Sequence, residues 1–96
     1  MRNDDFEWDD AKAWSNLAKH GVSFEAATLA FDDLFANDEL DRGSGQDDPR
    51  YIMTGMANGV LLTVVYTERG ERARIISARK ATKHEQRNYD RGQAAG

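Results

Sequence analysis

The chain contains no cysteine and one proline, and its 96 residues include no long apolar run. Without cysteine there is neither a disulfide framework nor a thiolate zinc site. The longest apolar stretch, residues 60–66, is too short to cross a bilayer, and the N-terminus lacks the apolar segment of a signal peptide. We therefore expect one soluble cytoplasmic domain over residues 1–96, with no membrane contact and with frayed ends at residues 1–5 and 92–96.

Charge is divided unevenly along the chain, whose formal net charge is −4. Residues 1–48 carry 13 acidic and 4 basic side chains, a balance of −9, whereas residues 49–96 carry 4 acidic and 9 basic ones, a balance of +5. Local potential governs the attraction of a polyanion more than net charge does. The second half is therefore where we expect a binding surface for phosphate or nucleic acid.

The first half of the sequence predicts a short strand and two helices. The strand is expected at residues 6–8, followed by a helix that Asp9 or Asp10 caps and that Gly21 ends. Ser23 is expected to cap the second helix. The apolar positions predicted to face the core are Ala11, Trp14, Leu17 and Ala18 in the first helix and Phe24, Ala27 and Phe31 in the second.

The second half predicts an antiparallel meander. The expected strands are residues 37–41, 50–57, 60–67 and 72–80. Asn58-Gly59 is the strongest two-residue hairpin signal, and Thr82 with Glu85 forms a capping box for a last helix over about residues 83–91. Helices followed by strands predict an α+β fold, with two N-terminal helices packed on a mostly antiparallel sheet and a C-terminal helix. One face of that sheet is expected to stay partly open.

Two arginines of the last strand, Arg74 and Arg79, are candidates for binding an oxyanion, because a guanidinium group can pair with phosphate bidentately. In a regular strand their odd spacing points them to opposite faces of the sheet. Both reach one site only if a bulge or the strand end re-aims one of them. Solvated arginines or ion pairs with the acidic helices are an equally simple interpretation.

The first helix carries a second candidate group. Lys12, Asn16, Lys19 and His20 lie on one stripe of it, where a histidine can transfer protons near neutral pH. The simpler interpretation of this stripe is an ordinary solvated helix face. The two histidines, His20 and His84, show no metal-ligand spacing, so we expect neither a metal nor a cofactor.

RNA cleavage through attack of the ribose 2′-hydroxyl is a reaction that these residue types can support. The substrate supplies its own nucleophile, so the protein must orient it, transfer two protons and stabilise the charge of the phosphorane. Arginine suits the last task, histidine or lysine suits proton transfer, and tyrosine suits stacking.

Several segments together resemble the BrnT toxin family, over about residues 6–90. They are Phe6-Glu-Trp-Asp9, Lys12 and Asn16, Lys19-His-Gly-Val-Ser-Phe-Glu-Ala26, Phe31-Asp32, Arg50-Tyr51, Val65-Tyr66-Thr67, Arg74-Ile-Ile-Ser-Ala-Arg79 with Ala81-Thr82, and Tyr89. The resemblance implies a RelE-like fold and a ribonuclease toxin of a type II toxin–antitoxin pair in the bacterial cytoplasm. It also implies a cognate antitoxin with a ribbon-helix-helix region, through which alone operator DNA is bound.

We assign the catalytic roles as a hypothesis. Proton transfer is given to His20 or Lys19, phosphate binding to Arg50, Arg74 and Arg79, and packing of the base or ribose to Tyr66. The family usually has an acidic residue before the Arg-Tyr pair of the central strand, where this chain has Asp48-Pro49, so Asp47 or Asp48 would have to replace it. The alternative is a non-enzymatic module that docks an acidic antitoxin-like segment and co-represses transcription.

Overall fold

The computed structural model describes residues 1–95, and the side chains of residues 1–92. Its elements are β1 (Phe6–Glu7), α1 (Asp10–His20), α2 (Phe24–Ala30), β2 (Asn37–Asp41), β3 (Arg50–Ala57), β4 (Val60–Arg69), β5 (Arg72–Lys80) and α3 (Lys83–Ala95). The α+β class and the order of the elements confirm the prediction. Fraying of the termini stays a prediction: α3 includes residues 92–95, and Gly96 lies outside the described residues.

The five described strands form one sheet in the order β1-β5-β4-β3-β2. Strands β2 to β5 pair antiparallel with their neighbours, and β1 alone runs parallel to β5. The predicted hairpin turn is confirmed, because Asn58 and Gly59 both have the positive φ, 49° and 81°, that a type I′ turn requires.

Helix α2 packs on the central strands over one face of the sheet. The buried apolar residues there are Trp8, Val22, Phe24, Ala27, Ala30, Met53, Ala57, Leu62, Val64, Tyr66, Ile75 and Ala78. The close approach of α2 depends on Gly55, since a Cβ atom there would lie 2.7 Å from the carbonyl oxygen of Ala30. Both Phe24 and Ala27 are fully buried, as predicted for the second helix.

The prediction for the buried face of α1 is wrong. Trp14 is 73% exposed and Leu17 40% exposed, and the two alanines of the predicted stripe are exposed as well. The buried residue of α1 is Asn16, which the sequence pattern assigned to a polar stripe. Asn16 is buried because of the edge of the sheet on which α1 packs. There β1 pairs only with residues 73–74 of β5, so the following residues of β5 have no described strand beside them at this edge.

Asn16 closes the part of the β5 edge that β1 leaves open. Its Nδ2 donates to the carbonyl oxygens of Ala78 and Val22 at 2.8 and 2.9 Å, and its Oδ1 accepts from the backbone N–H of Ala78 at 3.1 Å. The side-chain amide thus takes the place of a neighbouring strand. A buried strand edge must have its backbone groups satisfied, so a carboxamide is favoured there over an apolar side chain.

Helix α3 lies over one corner of the opposite face of the sheet. The predicted capping box is confirmed: the Thr82 N–H donates to Glu85 Oε1 at 2.8 Å, and the Glu85 N–H donates to Thr82 Oγ1 at 3.2 Å. Further along, the buried Tyr89 donates its hydroxyl to Asp33 Oδ2 at 2.6 Å. The rest of this face remains open.

Candidate functional site

A β-bulge brings Arg74 and Arg79 to the same face of the sheet. The register between β4 and β5 shifts at Ile76, which has no partner on β4. Arg74 therefore pairs with Thr67 and Arg79 with Thr63, four residues apart on β4 and so on one face. With an odd spacing in the sequence, the two arginines can share one face of the sheet only because of this bulge.

A polar row crosses the open face at one end of the strands. Arg50, Thr67, Arg74 and Glu7 occupy paired positions on β3, β4, β5 and β1. Arg74 Nη1 donates to Glu7 Oε2 at 2.7 Å, and Arg50 lies two strands away, about 10 Å across the sheet. Between the two arginines Thr67 is 1% exposed, and its hydroxyl oxygen has no hydrogen-bond partner among the described residues.

Arg79 is held by the first turn of α3. Its two terminal nitrogens donate to the two carboxylate oxygens of Glu85 at 2.8 and 3.0 Å. Glu85 Oε1 also accepts from the hydroxyl of Thr63 at 3.0 Å. These bonds, the Arg79 pair first, lower the pKa of Glu85 to about 2, and the pKa of Arg79 is raised in turn. The ion pair between Arg79 and Glu85 therefore connects β5 to α3.

Acid is expected to weaken the fold through Glu85. Because its folded pKa is depressed from 4.5 to about 2, the stabilisation is present above pH 4.5 and is lost as the pH falls towards 2. We expect this ionised carboxylate to contribute about 1–2 kcal/mol to the free energy of unfolding, a value that allows for solvent screening of the partly exposed Arg79. Urea unfolding of the wild type and of Glu85→Gln at pH 7, 4.5 and 2.5 measures it. The difference in unfolding free energy should shrink as the pH falls, and a constant difference would contradict this assignment.

A cationic groove runs between α1 and the edge of β5. It encloses about 230 Å³, and its lining residues are Lys12, Ser15, Asn16, Lys19, His20, Ile76 and Ser77. None of these described lining residues is acidic. The groove meets β5 at residues 76–77, between Arg74 and Arg79 in the strand. Five basic side chains therefore border one segment of β5.

The carboxylate that caps α1 is held in its ionised form by hydrogen bonding and by nearby positive charge. The Lys12 backbone N–H donates to Asp9 Oδ1 at 3.1 Å and lowers the pKa of Asp9. The positive charges of Lys12 and Arg74 lower it further.

Tyr66 lies apart from the arginines, on the face of the sheet that packs against α2. It is 8% exposed, contacts Phe31 edge-on at 5.0 Å between ring centroids, and stacks on Tyr51 at 5.5 Å. Its hydroxyl donates to Asp38 Oδ2 at 2.5 Å. Burial, together with Asp38, raises the pKa of Tyr66 well above its usual range.

The segment that departs from the family pattern lies at the end of the polar row. Strand β3 begins at Arg50, directly after Pro49, as the proline predicts. The carboxylate of Asp48 accepts from Arg69 Nη1 at 2.9 Å, and that bond, followed by the charges of Arg69 and Arg50, lowers the pKa of Asp48. An ionised carboxylate is thus present beside Arg50.

The structure groups the predicted residues into three places. The groove is lined by Lys19 and His20. The open face beside it carries the three arginines, Arg50, Arg74 and Arg79, and Tyr66 lies on the other face of the sheet. The sequence interpretation included Lys12 in the candidate stripe of α1 without a specific catalytic role, and it gave no role to two further neighbours, Thr67 and Ser77. The spacing of Lys12 from Lys19 indicates in the sequence that both lie on one side of α1. The positions of Thr67 and Ser77 relative to the site depend on the register of the strands, which the sequence does not show.

Two further observations concern the described residues as a whole. No group of three or more histidine, aspartate or glutamate side chains among residues 1–92 is placed to hold a metal ion. The three described helices are all too short or too polar to cross a membrane.

The fold and the groove together define a small α+β protein in which a lysine-bearing helix lies against the edge of the arginine-bearing strand β5. A model of the family described as "Ribonuclease toxin, BrnT, of type II toxin-antitoxin system" matches residues 8–85, most of the chain. The chain belongs to the BrnT family and is a ribonuclease toxin of a type II toxin–antitoxin system, which confirms the resemblance seen in the sequence. No curated protein matches the chain.

Proposed function

We propose that the protein is an endoribonuclease that cleaves RNA in the bacterial cytoplasm without a metal ion, by attack of the ribose 2′-hydroxyl on the adjacent phosphate. The observation that carries this proposal is the groove between α1 and β5, where Lys12, Lys19 and His20 line a cleft that has no acidic residue among its described lining. Positive groups fixed in a groove attract the RNA backbone and lower the energy of negative charge that develops on it.

The reaction needs two proton transfers and one exchange of bonds. The 2′-oxygen forms a bond to phosphorus as its proton passes to a base, and the bond from phosphorus to the 5′-oxygen breaks as that oxygen receives a proton. The products are a 2′,3′-cyclic phosphate and a free 5′-hydroxyl. His20 and Lys19, neighbours at the end of α1, are the groups that we propose for these transfers.

The arginines are proposed to bind the phosphate while negative charge accumulates on its oxygens. Arg74 precedes the groove residues Ile76 and Ser77 in β5, and Arg79 lies on the same face beyond the bulge. Arg50 is two strands away, where it suits a neighbouring phosphate of the same RNA strand better than the one that reacts. For Tyr66, which the sequence interpretation gave to packing of the base or ribose, we propose no contact with RNA in this conformation, because its ring packs against Phe31 and Tyr51 and the residue is 8% exposed.

A cognate antitoxin is proposed to neutralise the enzyme and to carry operator binding through a ribbon-helix-helix region. The family description implies an antitoxin as partner. Operator binding is assigned to the partner because the toxin is acidic overall, with a formal net charge of −4. A gel shift with the antitoxin alone, the toxin alone and the mixture tests this assignment, and tight operator binding by the toxin alone would refute it.

RNA cleavage by the purified protein in the presence of EDTA tests the central proposal. We expect cleavage to persist in EDTA and to yield ends that carry 2′,3′-cyclic phosphate. Loss of cleavage in EDTA with recovery on addition of Mg²⁺ would refute metal independence. The catalytically altered control is the double variant Lys19→Ala/His20→Ala, which should bind antitoxin as the wild type does. Joint loss of cleavage and antitoxin binding in that control would favour the non-enzymatic docking module.

A further inference from the structure

The exposed side of α1 presents an apolar surface that the fold itself does not use. Trp14 and Leu17 are 73% and 40% exposed, a large exposure for two apolar side chains on one stripe of a short helix. They lie across α1 from Lys12 and Lys19, so the helix separates this surface from the RNA groove. RNA binding at the cationic groove therefore leaves Trp14 and Leu17 uncovered.

Two adjoining clefts make this surface a continuous groove. The first, of about 290 Å³, lies between α1 and the start of α2 and includes Trp8, Trp14 and Leu17. The second, of about 310 Å³, extends from Leu17 to the β3–β4 turn and ends at the half-exposed Val60. Both clefts share Leu17 and Ser23. We call the two clefts together the Trp14 groove.

Charge at the rim of the Trp14 groove indicates the chemistry of its occupant. Asp10 and Glu25 border it at the Trp14 end, and both are exposed. Asp10 is partly neutralised by the amino group of Met1 at 3.1 Å, but its side chain remains 75% exposed. The surrounding half of the chain carries −9 over residues 1–48. The rim is acidic at the Trp14 end only, since Lys80 lines the far cleft. The Trp14 end of this apolar groove therefore fits an amphipathic segment that has basic residues beside its apolar anchors.

A second copy of this chain fits the Trp14 groove poorly. A two-fold dimer whose axis passes near Trp14 would oppose Glu25 and Asp10 of one copy to those of the other. Like charges opposed at an interface disfavour association. A type II system supplies a different chain that can occupy the groove, and self-association is an outcome of the test below.

We propose that the Trp14 groove is the docking site for an amphipathic helix of the cognate antitoxin, with apolar side chains at helical spacing against Trp14 and Leu17 and with lysine or arginine facing Glu25. This inference rests on the proposed function for the identity of the partner. A helix in this groove lies alongside α1, one helix diameter from the cationic groove. The rest of the antitoxin is thereby placed to cover the RNA site.

The test measures two properties of the same variants: affinity for the purified cognate antitoxin and cleavage of RNA without it. Trp14→Ala is expected to weaken antitoxin binding by about 30-fold or more, the size of an interface hot spot, and to leave cleavage within about twofold of wild type. Glu25→Lys should slow association and reduce its salt dependence. Leu40→Ala, a half-exposed apolar residue on the opposite edge strand, is the matched control and should change neither property.

The outcomes separate this inference from the proposed function. Antitoxin affinity within about threefold of wild type for both Trp14→Ala and Trp14→Gln would overturn the docking site. Self-association of the wild type that Trp14→Ala abolishes would also overturn it, in favour of a second copy. If the wild type cleaves no RNA but Trp14→Ala still loses the antitoxin, the docking site stands and the proposed enzymatic function fails. Unchanged circular dichroism of the variants excludes misfolding as the cause.

Discussion

Arg74→Ala is expected to reduce RNA cleavage about 30- to 1,000-fold, because a group that stabilises developing charge contributes about 2–4 kcal/mol to lowering the barrier. The same change removes one partly exposed ion pair, to Glu7, and should cost about 1 kcal/mol of stability or less. Single-turnover cleavage and urea unfolding of one preparation measure both effects. Full cleavage activity in Arg74→Ala would refute phosphate binding by this strand.

Arg79→Ala should also reduce cleavage by more than it reduces stability, but it has a larger structural cost. Glu7 and Glu85 are both about one-fifth exposed, but removal of Arg79 breaks two hydrogen bonds to Glu85, whereas removal of Arg74 breaks one to Glu7. The double variant Arg79→Ala/Glu85→Gln removes the charge of Glu85 as well and is the matched control. Cleavage that recovers in the double variant would show that Arg79 acts through α3 and not on the phosphate.

Asn16→Leu is expected to cause the largest loss of stability of any exchange considered, about 3–5 kcal/mol, since it leaves three buried backbone groups of Val22 and Ala78 without partners. For a domain of this size the melting temperature should fall by about 15 °C or more. Thermal unfolding measures the effect. Leucine branches as asparagine does, but its methyl groups are larger than the amide groups, so overpacking adds to the loss.

Two comparisons test the interpretation of Asn16. Ser15→Ala, at the exposed neighbouring position of α1, should alter stability by no more than about 0.5 kcal/mol. Asn16→Asp keeps an acceptor for the Ala78 N–H but cannot donate to the two carbonyl oxygens, so it should be nearly as unstable as Asn16→Leu. A loss below about 1 kcal/mol for Asn16→Leu would show that the amide does not close the sheet edge.

Most of the fold follows from signals that are local in the sequence. Gly21 and Ser23 end and begin helices as their conformational and hydrogen-bonding preferences dictate, and Asn58-Gly59 makes the turn that its positive φ values allow. Alternation of apolar residues then identifies the central strands. These features depend on neighbours in the chain, so one sequence is sufficient to predict them.

The face of α1 could not be predicted in the same way. Helical periodicity assigns Trp14 and Leu17 to the core, because an apolar stripe is normally buried. Asn16 is buried instead because β1 is two residues long and leaves part of β5 unpaired. That requirement arises between elements distant in the sequence, and nothing adjacent to Asn16 signals it.

The sequence was sufficient to predict which residue types form the candidate site, but not how those residues are arranged in space. The arginine strand and the Lys19-His20 pair were recognised from the sequence, and the structure brings the pair to the edge of that strand. The shared face of Arg74 and Arg79 depends on the bulge at Ile76, which the sequence left open as one possibility. A single extra residue in a strand has no signature in composition or period.

Docking of α1 on β5 also determines when the cationic groove can form during synthesis. Asn16 and Ala78 are 62 residues apart, and the walls of the cationic groove come from the first helix and the last strand. At about 5–20 residues per second, ribosomes need several seconds to make the intervening chain. A nascent or truncated chain that ends before β5 therefore has no groove, and under the proposed function we expect such a chain not to cleave RNA.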